Sequence, residues 1–449
     1  MKKNKNTRGG YSGVLILSLL MLVLAFLTAA TLTMILTGAS VKSSVPFDLD
    51  EITTANTSDS FVPADLFIPE MIGITADNSR YASSVSAMTT SELYKTVLPV
   101  LAEVLNTNGT PDTSEMLWNS FIERKSSVYI RFHRETANYV ICSLADIASP
   151  TMISPVYELF LLPYSSNSDS MTAAVRCYDG SVYVYTKRAP ENIITEDELT
   201  KLLTSYTSAL TPFSFLENGE PVFTASLSSR NIIITDGTAS MLGNDKNVSP
   251  LLRLFGLNPD KLLNKHISSD GTGSYIAQKG IFTIDRSSFS FTASQDGGVR
   301  ISDHVSVPVQ PSFKDYVAAA YAIFESIGEV NSHFTGGDAD IILASASSSA
   351  DSLTLVFEYV FDNIRIVDIK PALTVTFTNG KLTEYTHYTL SVRNLGSHSQ
   401  SVSKKWFADF LSRPGGEHLH RISLVYRGDF LSESVKAEWC GIEYPTKEN

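Results

Sequence analysis

The chain has 449 residues, of which 43% are hydrophobic and 18% charged, a globular composition with apolar material for two or three folded units. Its 35 basic and 47 acidic residues give a formal net charge of −12, and no acidic residue precedes Asp48. This charge excludes general electrostatic binding to nucleic acid or to an anionic membrane leaflet.

An uncharged segment near the N-terminus, residues 13–37, predicts a transmembrane helix. About 20 apolar residues suffice to cross the hydrocarbon core of a bilayer, and this segment is longer. Basic residues before it indicate that residues 1–12 form a cytoplasmic tail, because positive charge stays on the cytoplasmic side. We therefore expect a single-pass protein of the cell membrane whose C-terminal part is extracytoplasmic. The basic residues are Lys2, Lys3, Lys5 and Arg8.

Two features of this segment have alternative interpretations. Small residues at Thr37, Gly38 and Ala39 fit a signal-peptide cleavage site. A signal peptide has an apolar core of about 7–15 residues, however, which favours a retained anchor. Small residues within the segment could let a second transmembrane helix approach closely, or they could simply be tolerated in lipid. These residues are Ala25, Thr28, Ala29 and Thr33.

The region after the anchor begins with residues 38–80, which are rich in Ser, Thr, Asp and Pro and predict a stalk or linker. A helix should follow, because Thr89 and Glu92 match the capping-box pattern and apolar residues recur every three or four positions. Pro99 should kink or interrupt this helix. Its apolar face consists of Leu93, Val97, Leu101, Val104 and Leu105.

The next region, residues 81–220, predicts an N-terminal domain of helices and antiparallel strands. In SVYIRFHR every second residue is apolar, which predicts a half-buried strand with Arg131 and His133 on its outward face. The other expected elements are strands at 139–144, 156–162, 173–178 and 181–186, a hairpin turn at Asp179-Gly180, and a helix that starts at Thr195 with Glu198.

A similar order of elements recurs in residues 221–310 and 311–445, which predict a middle and a C-terminal domain. The Ser-rich run 344–352 predicts a loop, and Asn379-Gly380 predicts a hairpin turn. The predicted fold class is α+β, with a transmembrane helix followed by extracytoplasmic antiparallel sheets that are packed by helices. Helices are expected from about 249, from Ser312 with Asp315 to Gly328, and from about 403; strands are expected at 231–236, 281–286, 289–294, 299–302, 353–361, 364–369, 372–378, 384–392, 421–426 and 435–440.

Cysteine usage gives no disulfide framework, because Cys142, Cys177 and Cys440 are an odd and sparse set. Buried thiols that pack as small hydrophobes are the favoured interpretation. A bond between Cys142 and Cys177 remains open.

Several short patterns are candidates for catalytic or metal sites. His418 and His420, with Glu417 beside them, are a metal candidate, because their spacing of two puts both imidazoles on one strand face. The adjacent RPGG turn favours an ordinary solvent-facing edge instead. The run from Asp270 to Ser274 lacks the order and the second copy of an aspartic-protease signature, so it is read as a turn. The spacing Gly271, Gly273, Ala277 lacks the surrounding βαβ unit of a nucleotide loop.

These patterns lead us to predict no catalytic residue, no cofactor site, no metal site and no small-molecule substrate. A hydrolase with dispersed catalytic residues remains open, because the members of a triad need not be close in sequence.

Three stretches carry a resemblance to a known family. They are residues 251–302, with a Leu/Phe helix that leads into a hairpin; residues 352–392, with the pattern Phe357-x-Tyr359; and residues 422–444, with the late Trp439. With the N-terminal anchor, they make the chain look like a divergent, YycH-like member of the YycH/YycI family. That family comprises membrane-anchored accessory proteins of an essential cell-wall sensor histidine kinase in Gram-positive bacteria.

The resemblance implies a non-enzymatic, extracytoplasmic regulator in signal transduction. Its expected partners are the membrane, through residues 13–37, a sensor histidine kinase and a second YycH/YycI-type protein. The alternative is an envelope binding or assembly module for wall polymers or sporulation proteins. Strand tyrosines could form a sugar-stacking face for such a module, or they could simply pack a sheet. They are Tyr183, Tyr185, Tyr385 and Tyr388.

Overall fold

The computed structural model describes residues that belong to the unit Thr53–Asn449. The predicted anchor, residues 38–62 of the predicted linker and the predicted helix near 403 lie outside the described residues. None of the helices in the described part of the chain has the length and hydropathy needed to span a membrane. The described residues are 63–112, 115–147, 155–167, 169–216, 219–236, 245–295, 297–306, 311–330, 334–349, 351–400, 419–428, 430 and 432–443.

The first layer of the fold is a nine-stranded antiparallel sheet. Its strands are β1 (Met71–Ala76), β2 (Ser79–Ser83), β3 (Thr110–Asp112), β4 (Ser127–Thr136), β5 (Val156–Leu161), β6 (Ser170–Cys177), β7 (Val182–Arg188), β8 (Thr211–Phe215) and β9 (Pro221–Phe223). Their spatial order is β3-β7-β6-β5-β4-β1-β2-β8-β9.

The strand β1 corrects the prediction of a linker over residues 38–80. It lies inside the sheet, where Ile72 stands opposite Ile130 of β4 on one side and Ser83 of β2 on the other. All six residues of β1 are buried. A strand that is buried on both faces shows no alternation of apolar and polar residues, so the pattern gave no strand signal.

Helices cover this sheet and connect it to the rest of the fold. They are α1 (Ala87–Leu105), α2 (Glu115–Ile122), α3 (Asn138–Leu144), α4 (Glu196–Tyr206), α5 (Asp245–Leu254) and α6 (Phe313–Val330), and short 3-10 turns lie at Pro63–Leu66, Thr207–Ala209, Pro259–Lys261 and Ile301–Asp303. Helix α1 packs on β1, β6 and β7, and α6 packs on both α3 and α5.

Several predictions about these helices are wrong in detail. Helix α1 is capped by Ser86, whose Oγ accepts from the Thr89 amide at 3.3 Å, so the predicted cap at Thr89 is three residues late. Pro99 lies inside α1 without ending it. Residues 139–144, predicted as a strand, fall in α3, because a short apolar run does not distinguish a buried helix from a buried strand. Helix α6 continues two residues beyond Gly328.

The second layer contains a three-stranded and a twelve-stranded sheet. The strands are β10 (Ser228–Asp236), β11 (Asn264–Ile267), β12 (Gly273–Ala277), β13 (Gly280–Ile284), β14 (Ser288–Ala293), β15 (Val299–Arg300), β16 (Gly336–Gly337), β17 (Asp340–Ser348), β18 (Ser352–Phe361), β19 (Ile364–Val367), β20 (Leu373–Thr378), β21 (Lys381–Tyr388), β22 (Leu390–Gln400), β23 (Leu419–Arg427) and β24 (Glu438–Glu443). Strands β10, β22 and β16 form the smaller sheet, and the larger runs β11-β12-β13-β14-β21-β20-β18-β19-β23-β24, with β15 on β21 and β17 on β18.

The pairing in these sheets is mostly antiparallel, and β16–β22 and β19–β23 are the parallel pairs among the described strands. The predicted α+β class, with sheets packed by helices, is thereby confirmed. Strand β14, from the predicted middle domain, pairs directly with β21, from the predicted C-terminal domain. The Ser-rich run at 344–352, predicted as a loop, extends β17 as far as Ser348.

The predicted hairpin turns are confirmed by their backbone. Asn379 and Gly380 have φ values of 51° and 76°, and Gly180 has 81°. Positive φ at both central residues is the geometry of the tight turn that matches the twist of paired strands. The Asp362-Asn363 turn between β18 and β19 has the same character, with φ values of 52° and 64°.

The predicted cap of α4 is also confirmed and gives a test. Thr195 Oγ1 accepts from the Glu198 amide at 3.2 Å, and the Glu198 carboxylate accepts from the Thr195 amide at 2.7 Å. Thr195→Ala should lower the free energy of unfolding by about 1 kcal/mol in urea titrations. The matched control is Thr204→Ala in the same helix, where alanine has the higher helix propensity. Equal losses in the two variants would contradict the cap.

Candidate functional site

A network of buried charges joins the nine-stranded sheet to the C-terminal strands. Glu70, just before β1, forms ion pairs with Arg131 of β4 at 3.2 Å and with Arg421 of β23. Arg131 also donates to Glu220 at 2.7 Å and to the carbonyl oxygen of Ile422 at 3.1 Å. All four charged side chains are buried. We call Glu70, Arg131, Glu220 and Arg421 the central clamp.

The position of Arg131 corrects one prediction about β4. The predicted strand is present, but it is not half-buried, because every residue from Ser127 to His133 is buried. The polar face was expected to be outward, but Arg131 and His133 are buried. Contacts from Arg131 to Ile422, and from Arg421 to the Phe132 carbonyl at 2.6 Å, show that β23 covers this face.

The electrostatics of the central clamp favour the charged form of Glu70. Burial alone would raise its pKa, but Arg131 and Arg421 together lower the pKa to about 2. Burial raises the pKa of Glu220, and the attraction of Arg131 opposes this effect. Glu70 is therefore an ionised carboxylate that is held by two guanidinium groups, which makes it a weak proton acceptor.

A second group of polar residues extends the central clamp along β18 and β19. Glu358 of β18 forms ion pairs with Arg365 of β19 at 2.7 Å and with Arg134 of β4 at 2.6 Å. Arg365 also donates to the carbonyl oxygen of His133 at 3.0 Å. Each of these contacts crosses from one sheet to the other or joins neighbouring strands at the boundary. Charges from both sheets are thus mutually neutralised at this boundary.

The buried Asn363 of the β18–β19 turn connects the same boundary to the start of the described chain. Its side-chain amide donates to the carbonyl oxygens of Pro69 at 3.0 Å and Ser84 at 3.1 Å. Its Oδ1 lies 3.1 Å from Nε2 of His133, which must donate because the oxygen can only accept. Burial lowers the pKa of His133 to about 4, so its ring is neutral near pH 7.

A third ion pair lies deeper in the nine-stranded sheet. Glu158 of β5 is fully buried and accepts from Arg176 of β6 at 2.5 Å and from the hydroxyl of Tyr129. The Arg176 guanidinium lies 4.6 Å from the ring centroid of Trp118, a cation–π contact. This pair fixes β4, β5 and α2 to one another.

The short patterns weighed from the sequence are not brought together into a site. Asp270 accepts from the amide of Thr272 at 3.2 Å and from its hydroxyl at 2.8 Å, which confirms a turn. Glu417 and His418 lie outside the described residues, as does the side chain of His420. Within the described residues, no group of three or more His, Cys, Asp or Glu side chains could hold a metal ion.

The cysteines and the strand tyrosines were also assigned roles from the sequence. Cys142 and Cys177 are buried thiols with no disulfide between them, as the favoured interpretation expected. Tyr185 and Tyr385 are fully buried, which excludes the sugar-stacking alternative for these two and favours the alternative that they pack a sheet. Tyr183 and Tyr388 are half-buried.

Comparison with known proteins adds no relative. The chain matches no family model, and no curated protein or solved structure is significantly similar to it. The resemblance to the YycH/YycI family therefore stays a prediction.

The sequence does not predict the central clamp, because its members are far apart in the chain. Arg131 stands inside a strand between two apolar residues, Arg421 stands inside a strand just before Ile422, and Glu70 directly precedes a fully buried strand. A charged residue between apolar residues was the available signal, since such residues are rarely buried unless they are paired. Nothing local, however, indicates which residues would pair.

Proposed function

We propose that this protein is a non-enzymatic, membrane-anchored extracytoplasmic regulator that modulates a sensor histidine kinase of cell-wall homeostasis through protein–protein contacts. Support comes from the uncharged segment 13–37, from the basic residues before it and from the resemblance to the YycH/YycI family. The structural observation that supports the proposal is the central clamp, which holds Glu70, near the N-terminal end of the described residues, to both sheets.

The central clamp suits a regulator because it ties the segment around Glu70 to both sheets. The described residues begin at Pro63, and Glu70 is held by Arg131 of the first sheet and by Arg421 of the second. Asn363 holds the backbone of the same segment through Pro69. A displacement of this segment should therefore move the folded unit as a whole, which is what coupling between an anchor and an outer domain requires.

The partner is tested by crosslinking the tagged full-length protein in its native membrane, followed by co-purification and mass spectrometry. We expect a sensor histidine kinase, a second single-span protein of the same predicted family, or both. Recovery of wall-synthesis or sporulation proteins without any kinase would overturn the proposal and favour the alternative module.

The role of the anchor is tested by replacing residues 13–37 with an unrelated apolar helix of equal length. We expect altered output of a kinase-dependent reporter at an unchanged protein level. The control is a variant with its native segment and with Met88→Ala, which changes a side chain that is 71% exposed. An unchanged reporter in the helix-swapped cells would contradict a regulatory contact within the membrane.

A second candidate function is an envelope binding module for wall polymers. One specific observation favours this candidate, which is a cavity lined by the aromatic side chains of Tyr139, Phe313 and Tyr316. If the full-length protein fails to sediment with isolated cell-wall glycans, this candidate is removed.

A further inference from the structure

A cavity of about 340 Å³ is lined by four separate elements. They are α3, the first turns of α6, the turn between β17 and β18, and the hairpin between β20 and β21. A salt bridge of 2.6 Å between Lys314 and Asp146 ties the start of α6 to the end of α3 next to this cavity. The lining is therefore shaped by packed elements and by two short turns.

Aromatic rings form much of the lining of this cavity. Tyr139 and Phe313 meet edge to face with ring centroids 6.0 Å apart. Tyr316 packs on the buried Phe377 with centroids 5.0 Å apart. Tyr139, Phe313 and Tyr316 are each half-buried, so part of each ring remains accessible from the cavity. An apolar, rigid surface of this kind loses little conformational freedom when a ligand packs on it.

Short polar side chains surround these rings. Ser349 and Ser352 share a hydrogen bond of 2.8 Å across the turn between β17 and β18. Asp351 and Asn379 also line the cavity, and the Asn379 amide donates to the Asp351 carbonyl at 3.0 Å. Asp351 is the one ionisable carboxylate among the described residues that line the cavity. The rim thus offers hydroxyl, amide and carboxylate groups with little net charge.

We propose that this cavity binds a saccharide. A hexose ring has an apolar face of C–H groups, which packs on aromatic rings, and an edge of hydroxyls, which needs acceptors and donors. The half-buried rings supply the first requirement, and Ser349, Asp351 and Asn379 supply the second. A nucleotide would also stack on aromatic rings, but a chain of net charge −12 disfavours its phosphates.

This inference is independent of the proposed kinase partner, because it concerns a different class of ligand and because the described residues that line the cavity include none of the central clamp. It would give the protein a means of sensing or holding a glycan outside the membrane. A regulator without a glycan site, and a glycan-binding protein without a kinase partner, are distinguished by the two separate experiments.

The test is isothermal titration calorimetry on the full-length protein in a detergent that carries no sugar headgroup. The probes are cellohexaose and tetra-N-acetylchitotetraose, two β-1,4-linked chains of equatorial hexoses. We expect saturable binding of at least one probe. Tyr316→Ala should weaken it about tenfold or more, whereas Tyr316→Phe, which keeps the ring, should bind nearly as the unmodified protein does.

The matched control is Tyr183→Ala, which removes a half-buried tyrosine from the first sheet and should leave binding unchanged. Ser349→Trp fills the cavity from an exposed position and should abolish binding, and this variant decides the matter if Tyr316→Ala fails to fold. The proposal is overturned if neither probe binds saturably. It is also overturned if a folded Ser349→Trp variant binds as tightly as the unmodified chain.

Discussion

Glu70→Ala should lower the free energy of unfolding by about 3–5 kcal/mol, because it leaves two buried guanidinium groups without their shared carboxylate. Arg131 and Arg421 would then face each other where β4 meets β23, and like charges in a site removed from water repel strongly. Glu70→Gln should be nearly as costly, since it keeps the side-chain volume and removes only the charge. A loss of this size is a large fraction of the stability of an ordinary domain.

The measurement is urea unfolding of the full-length protein in detergent, followed by near-ultraviolet circular dichroism. The control is Asp270→Ala, which breaks an ion pair with Arg286 in which both side chains are exposed. That variant should lose less than about 1 kcal/mol. If Glu70→Ala lost no more than the control, water would have to reach the network, and the sheets would not be clamped by it.

Acidification from pH 6.5 to pH 4 should destabilise the folded unit by about 3 kcal/mol for each of two buried histidines. Burial lowers the pKa of His133 to about 4 and that of His387 to about 4. As the pH falls below 6.5, the unfolded chain takes up these protons and the folded chain does not. The free energy of unfolding therefore decreases as the pH is lowered from 6.5 to 4. Above pH 6.5 these two histidines contribute little to its pH dependence.

The two histidines occupy different parts of the fold, so their contributions can be separated. His387 Nε2 lies 2.7 Å from the Phe334 carbonyl, and its ring stacks on Phe324 with centroids 5.4 Å apart. His387→Gln should remove its share of the acid-induced loss, measured as the shift in urea midpoint between pH 7 and pH 4. His266→Gln, at an exposed position of β11, should leave the loss unchanged. A midpoint that stays constant over this interval in the unmodified chain would contradict the prediction.

The sequence predicted well those elements whose signal is local. The Asn379-Gly380 turn needs two residues that tolerate positive φ, and the Thr195–Glu198 cap needs two side chains three positions apart. Either can be read from a few neighbouring residues. Helix α4 and strand β20 were predicted from equally local patterns, and the structure confirms both elements.

The predictions that failed depended on what covers an element. Strand β1 was assigned to a linker, and β4 was given an outward face, although helix α4 packs on β1 and strand β23 packs on β4. Both of these elements lie far in the sequence from the strand that they contact. Helix α3 was predicted as a strand because a short apolar run does not distinguish a buried helix from a buried strand, and Val140, Ile141, Cys142 and Leu144 are all buried. The central clamp was missed because Glu70 and Arg421 are separated by 351 positions. The pattern of apolar and polar residues along a segment indicates which face is buried only when the other face is exposed to solvent.

The distance in sequence between Glu70 and Arg421 also sets an order in time. During synthesis, Glu70 and Arg131 are present long before β23 emerges, and until then their charges lack the strand that covers them. The first sheet can therefore close fully only after almost the whole chain has been made. Contacts between residues this far apart in sequence form slowly. Until β23 is in place, the first sheet exposes surface that favours aggregation. A chain that ends before β23 should accordingly remain incompletely folded.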